Sequence, residues 1–158
     1  MQTAQLASLL LNTKLLLGAL PNRQTRHALV CMRLSDMGTF SELYSAIFHE
    51  ANRVLKDGNF KLVCLSDRPS YEFQAFQASH DRSLTLVQGS ATSDSDLVTA
   101  KAGSARAHLI LADSLTAHPA TEDLSILLQV WAIKSQYKNI PCAAPVAKLG
   151  PYFDHGGV

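Results

Sequence analysis

Short apolar runs alternate with longer segments of helical period along most of this chain. The runs are rich in Val, Leu and Ile, and turn residues or charges bound them, as is typical of buried strands. The last run is the weakest candidate, because Pro141 interrupts it. The predicted strands are 27–32, 60–65, 84–87, 108–112 and 140–144.

The segments between these runs carry helix signals. Thr39 and Glu42 have the spacing of a capping box, and apolar residues then recur at helical spacing. A short helix is predicted over 71–79. Ser93 or Ser95 can cap a third helix, which is expected to continue to about residue 102.

The order of these elements predicts the fold class. Strands that alternate with helices indicate βαβ units and a parallel sheet. Because nearly every strand position is apolar, both faces of that sheet should be covered. Right-handed crossovers then favour an α/β fold with a Rossmann-like doubly wound parallel sheet. We assign residues 27–144 to this domain, 1–26 to an N-terminal helix and linker, and 145–158 to an irregular tail.

The N-terminal segment is leucine-rich between residues 6 and 20, but Asn12, Lys14 and Gly18 interrupt it. It is shorter than the ~20 apolar residues that a bilayer span needs. No basic region precedes it, as a signal peptide would require. We therefore expect a helix that docks on the domain or on a partner, and no membrane insertion of this chain.

Composition and charge narrow the possible functions. A length of 158 residues with 47% hydrophobic and 17% charged residues describes a globular domain with its own core. The net charge of +1 gives no global field that would attract nucleic acid or acidic lipid. Cys31, Cys64 and Cys142 show no CxxC and no zinc-ligand spacing, so buried free thiols are expected.

The sequence carries no catalytic motif. The first strand-to-helix turn has Gly38 as its one glycine, and bulky side chains with Asp36 disfavour a dinucleotide phosphate there. Asp67 is interpreted as a turn residue that bonds its own backbone. There is no GxSxG elbow, so we expect no enzyme. Three histidines are interpreted as surface or strand-end residues: His80, His108 and His118.

An ordered set of short segments, covering about 27–142, resembles one family. The segments are His27-Ala28-Leu29-Val30-Cys31, Phe48-His49-Glu50, Leu62-Val63-Cys64-Leu65, Pro69, Val87-Gln88-Gly89-Ser90, Asp96-Leu97, Ala105, Ala107, Leu109-Ile110-Leu111-Ala112, Pro119, Glu122-Asp123 and Ile133-Lys134. The set resembles the N-terminal, Rossmann-like half of the RCK domain (regulator of potassium conductance) of big-conductance calcium-activated potassium channels.

The resemblance implies a structural and regulatory role. Domains of this family lie at the cytoplasmic face of the membrane beneath the pore, pair, and form a gating ring of eight. Calcium widens that ring, and linkers pull the pore open. The implied partners are other RCK domains of the same channel and, through a linker, the pore. The implied chain is thus one partial RCK domain, acting as an interaction module without catalysis.

The divalent-ion sites of the family do not carry over to this sequence. Two calcium-site positions correspond to Ala46 and Ala51, and the two magnesium-site positions correspond to Lys61 and Thr85. These side chains offer none of the carboxylate oxygens that a hard cation prefers. We therefore expect no metal and no other cofactor within this chain.

Two other functions stay open at this stage. A soluble Trk/Ktr-like regulatory subunit of a potassium transporter would bind a nucleotide and would need a glycine-rich first turn. An NAD-dependent enzyme would need the same turn together with a catalytic acid or base. The missing glycines disfavour both functions.

The last helix opens at Pro119 and carries two apolar sets. One set is interpreted as the core face: Leu124, Leu127, Leu128 and Trp131. The other set is predicted to line a helix-to-helix contact in the ring: Ile126, Val130 and Ile133. A helix buried on both sides is the alternative interpretation.

Overall fold

A computed structural model describes residues 27–33, 37–55, 60–113 and 116–144 of the chain. The predicted N-terminal helix and linker, and the predicted tail after residue 144, lie outside the described residues and stay predictions. Within the described part, no helix combines the length and the hydropathy that a membrane crossing requires.

The described residues form a five-stranded, wholly parallel sheet with the strand order β3-β2-β1-β4-β5. The strands are β1 (His27–Met32), β2 (Lys61–Ser66), β3 (Leu84–Gln88), β4 (His108–Leu111) and β5 (Cys142–Ala143). The chain builds the sheet outward from β1 to one edge, then crosses to β4 on the other side. The predicted α/β doubly wound sheet is therefore confirmed, and its switch point lies between β1 and β4.

Four helices connect the strands: α1 (Met37–Leu55), α2 (Tyr71–Ser79), α3 (Asp94–Thr99) and α4 (Pro119–Gln136). The Ser70 hydroxyl caps α2 by accepting a hydrogen bond from the Phe73 amide at 3.1 Å. The third helix is shorter than predicted, because Lys101 adopts a left-handed backbone conformation with a φ of 55°. A 3-10 turn at Ala102–Ser104 then leads towards β4.

Each face of the sheet has its own core. Alternate residues of β1 point to opposite sides, as the pleat requires. Val30 packs with Phe40 of α1 and Phe73 of α2, whereas Leu29 packs with the residues of α3 and α4. The phenyl rings of Phe40 and Phe73 meet edge to face with centroids 5.0 Å apart. This double coverage explains why the strands are apolar at almost every position.

The three cysteines are free thiols, as predicted. Cys31 and Cys64 are buried in the sheet, and Cys142 is partly buried. Burial raises the pKa of Cys31 to about 12 and that of Cys142 to about 11, and it raises the pKa of Cys64 as well. Thiols held in the protonated form at neutral pH are poor nucleophiles, which fits a packing role.

The predicted assignment of the two faces of α4 is wrong. Ile126 and Ile133 are completely buried, and Val130 packs against the same core. The predicted core set is exposed instead: Leu124, Leu127, Leu128 and Trp131. Both sets have helical spacing, so periodicity alone could not identify the buried set. In the structure, the set that packs against the sheet is the β-branched one. Because they lie in the core, Ile126 and Ile133 cannot line a contact with another chain.

Candidate functional site

The exposed set on α4 forms a continuous apolar surface, which we call the α4 stripe: Leu124, Leu127, Leu128 and Trp131. Their steps of three, one and three residues place all four side chains on one face across two helical turns. The exposed fraction is 57% for Leu124 and 73% for Trp131. A Trp exposed to this extent is unusual on the surface of a domain that acts alone.

The stripe belongs to one side of the molecule. Val98 of α3 is also exposed, and α3 and α4 cover the same face of the sheet, where Leu97 and Ile126 share one core. On the opposite face, among the described residues, Tyr71 is the large hydrophobic side chain left exposed. Exposed apolar surface is thus concentrated on the α3/α4 side, as expected of a side that meets a partner.

Contacts at both ends of α4 hold the stripe in place. At the N-terminal end, a Glu122 carboxylate oxygen accepts a hydrogen bond from the Asp113 amide at 3.0 Å. At the C-terminal end, the Lys134 ammonium donates to the carbonyl oxygens of Lys138 and Ile140 at 3.1 and 3.0 Å. The Gln136 side chain also bonds Asp94 of α3. The helix therefore presents the stripe on a fixed scaffold.

Charge is distributed unevenly along α4. Glu122 lies in its first turn with Asp123 directly after it, and Lys134 lies in its last turn, an arrangement that the helix dipole favours. The four residues of the stripe carry no charge. The two ends of the apolar face therefore carry charges of opposite sign, and this difference can select the orientation of a partner helix.

A second candidate is a crevice of about 350 Å³ at the carboxyl ends of the strands. The Arg33 Nε lies 3.6 Å from an Asp67 carboxylate oxygen across it, a pairing that the sequence analysis did not predict, and the turn role of Asp67 stays a prediction. Both side chains are about half exposed, and Arg68, Asp113 and Glu122 add charges of both signs. This is the usual ligand position of a doubly wound sheet. Its mixed charge gives no preference for a phosphate.

The positions that the resemblance assigns to divalent ions lie apart from this crevice. Ala46 is on α1, whereas Lys61 starts β2 and Thr85 lies on β3, and both of these β residues are exposed. Ala51 also belongs to α1. Among the described residues, no group of three or more His, Cys, Asp or Glu side chains has a geometry that could hold a metal ion. Absence of metal and cofactor binding stays a prediction.

All three histidines interpreted as surface or strand-end residues fit that description, but His108, the first residue of β4, is buried. His118 is exposed, and His80 is partly exposed at the end of α2. His108 is completely buried on β4, where its Nε2 lies 2.9 Å from the Ala102 carbonyl oxygen. A histidine at the start of an apolar run carries no sequence signal that shows whether its side chain is buried.

Comparison with known proteins agrees with this architecture. Residues 23–144 match the family model of the calcium-activated potassium channel slowpoke-like RCK domain. A solved structure, the human SLO3 gating ring, has a similar fold with a TM-score of 0.54 and 23% sequence identity. That likeness covers 75% of this chain and 19% of the other, so the chain spans about one fifth of that protein. The match over most of the sequence, with the fold described above, places this chain in the slowpoke-like RCK domain family of calcium-activated potassium channels.

Proposed function

We propose that this chain is a cytosolic regulatory domain of a big-conductance-type, calcium-activated potassium channel, and that it acts by binding other RCK domains in a gating ring. Family membership and the doubly wound fold support this proposal. A ring of packed domains transmits movement through its interfaces, so the functional residues are contact residues and no catalytic group is needed. The proposed location is the cytoplasmic face of a membrane, where a linker would connect the ring to a pore.

The observation that carries the proposal is the α4 stripe. Its four apolar residues are exposed on a helix that is fixed at both ends. We infer that the stripe packs against the same stripe of a second copy. The surface replaces the predicted contact through Ile126, Val130 and Ile133, two of which are buried in the core.

An antiparallel arrangement of the two helices satisfies the pattern of the stripe. A twofold axis between Leu127 and Leu128 pairs Leu127 of one copy with Leu128 of the other. The same axis pairs Leu124 with Trp131, so that a large ring faces a smaller side chain on both sides. Such a self-complementary contact is the form that a symmetric dimer interface requires.

Charge favours the same orientation. In an antiparallel pair, the acidic N-terminal end of one helix, with Glu122 and Asp123, approaches the basic last turn of the other, with Lys134. A parallel pair would bring like charges together at both ends, which is unfavourable. Exposed charge pairs contribute only about 0.2–1 kcal/mol each, so they select the orientation rather than supply the affinity.

Trp131 should supply most of the affinity. Aromatic side chains bury about 150–250 Å² each, and burial of the exposed part of Trp131 would contribute on the order of 3–4 kcal/mol before the cost of association. A contact of two helical turns remains small, so the isolated domain should associate with a Kd in the micromolar range or weaker. Repetition of such contacts around a ring would strengthen the assembly.

The test is sedimentation velocity of the wild-type chain and two variants, at concentrations up to about 0.5 mM. Trp131→Glu should weaken self-association at least tenfold, because it removes the largest apolar side chain of the contact and places a charge against Leu124 of the other copy. Tyr71→Glu is the matched control, since Tyr71 is 84% exposed on the opposite face. A wild-type chain that stays monomeric, or equal effects of the two variants, would contradict the proposed contact.

A further inference from the structure

His108, at the amino-terminal end of β4, is buried near two other basic side chains, Lys134 and His27. His108 has no exposed surface, and its Nε2 lies 2.9 Å from the Ala102 carbonyl oxygen in the 3-10 turn. A carbonyl oxygen only accepts hydrogen bonds, so Nε2 carries the hydrogen and Nδ1 is left with a lone pair in the neutral ring. Nδ1 is buried and has no hydrogen-bond partner among the residues that the structure describes.

His108 joins the elements that support α4. Its ring packs against Tyr137, which follows the last residue of α4, with the two ring centroids 5.8 Å apart. Tyr137 in turn covers the 3-10 turn, where a Cβ added to Gly103 would lie 3.1 Å from its ring. The imidazole therefore lies at the junction of β4, the 3-10 turn and the C-terminal end of α4.

The groups that face His108 would not stabilise a second proton. Lys134 of α4 and His27 of β1 are close enough to oppose a positive charge on the ring. Lys101 lies beside His27, whose Nε2 is 3.2 Å from the Lys101 carbonyl oxygen. On β5, Cys142 is the register partner of His108 and is held as a neutral thiol. Arg106, two positions earlier in the chain, is a buried cation.

We propose that His108 is a proton-sensitive contact, whose protonation releases the 3-10 turn and the C-terminal end of α4 from the sheet. A proton on Nδ1 would be a buried donor without an acceptor and would add positive charge beside Lys134 and His27. Release of the turn exposes the ring to water, where the charged form is stable. The inference rests on the packing of this one domain and does not depend on the proposed function.

The direction of the pH effect follows from burial. Burial is the main cause that lowers the pKa of His108 below its ordinary value of 6.5, and Lys134 and His27 act in the same direction. The opened form, with the ordinary pKa, therefore takes up a proton first as the pH falls. The closed contact is fully stable above pH 6.5 and weakens between pH 6.5 and the lower pKa of the closed form. His27, whose pKa burial also lowers, adds to this trend.

Amide hydrogen exchange on the full chain tests the proposal. The reporter amides are those of Ala105 and Tyr137, which bond the carbonyl oxygens of Ala102 and Ile133 at 3.2 and 2.8 Å. Between pH 7.5 and 5.5 their protection factors should fall by up to about tenfold, since uptake of one proton changes an equilibrium by at most a factor of ten per pH unit. The amide of Gln74 in α2 is the reference and should change less.

Variants identify the ring responsible. His108→Gln retains a neutral donor for the Ala102 carbonyl but cannot titrate, so the pH-dependent loss of protection should largely disappear. His118→Gln is the control, because His118 is exposed at the start of α4 and should leave the wild-type profile unchanged. If His27→Gln removes the loss and His108→Gln does not, the proton binds elsewhere and the proposal is wrong.

A measurement on the wild-type chain tests the proposal even if the variants fail to fold. The ring proton signals of His108 in the wild-type NMR spectrum should show that the folded state titrates below pH 6.5. A titration at or above 6.5 would overturn the proposal. An equal loss of protection at Gln74 and Tyr137 would also overturn it, because acid would then act on the whole domain rather than on this junction.

Discussion

The reversed faces of α4 lead to a direct comparison of two alanine substitutions on one helix. Ile126 is completely buried in the core of the α3/α4 side, whereas Leu128, two positions later, is 51% exposed. Ile126→Ala should reduce the free energy of unfolding strongly, and Leu128→Ala should reduce it little. The two substitutions remove the same number of carbon atoms, so burial is the main difference between them.

The expected loss at Ile126 can be worked out from the atoms removed. Three buried carbon atoms correspond to about 2.4 kcal/mol of transfer free energy, at ~0.8 kcal/mol for each methylene. A cavity that fails to collapse adds about 24 cal/mol per Å3, or up to about 2 kcal/mol for roughly 80 Å3. The higher helix propensity of Ala offsets about 0.4 kcal/mol. We expect a net loss of about 2–4 kcal/mol, and less than about 1 kcal/mol for Leu128→Ala.

Urea denaturation followed by circular dichroism measures both losses. The chain should be kept at low micromolar concentration, so that self-association through the stripe does not contribute to stability. The m-values of both variants should equal that of the wild type, so that differences in the urea midpoint report differences in stability. If Leu128→Ala costs as much as Ile126→Ala, the stripe is part of the core, and the proposed contact surface is wrong as well.

Two further predictions concern other parts of the domain. Gly89→Ala should destabilise the chain by about 1–3 kcal/mol, because the new Cβ would lie 2.7 Å from the Asp96 carboxylate, which accepts a hydrogen bond from the Ser90 amide. Thermal unfolding measures the loss. Gly103→Ala is the comparison, because its new Cβ would meet only the edge of the Tyr137 ring, at 3.1 Å. Micromolar calcium should leave the melting temperature unchanged, because the positions that correspond to divalent-ion ligands carry no carboxylate. A ligand at a hundredfold excess over its Kd would add about 2.7 kcal/mol to the free energy of unfolding. A clear rise in the melting temperature with calcium would therefore contradict the prediction.

The sheet could be predicted from the sequence because burial on both faces leaves a simple signal. Strands such as 27–32 and 108–112 are apolar at nearly every position, and the connections between them are short enough to fix the order of elements. The end of α3 could not be predicted, since it depends on the left-handed conformation of Lys101, a residue type without a turn preference. The strand candidate with Pro141 shortened to Cys142–Ala143 for the expected reason.

The site residues were harder to predict, because each depends on contacts between distant segments. The ion pair of Arg33 with Asp67 joins the ends of two strands, and no local sequence pattern predicts it. The burial of His108 depends on Ala102 and Tyr137, which lie on either side of it in the sequence. The sequence shows which residues of a helix are apolar, but which of its faces packs against the sheet depends on tertiary contacts.

The phase of α4 is decided by contacts at its first turn. The Glu122 carboxylate bonds the Asp113 amide at the end of β4, which turns this side of the helix towards the sheet. Ile126 follows Glu122 by four residues and Ile133 by eleven, so all three lie on one face. Leu124, Leu128 and Trp131 must then point outward, whatever their hydrophobicity. A polar anchor thus sets which apolar residues form the core, and it leaves the other set available to a partner.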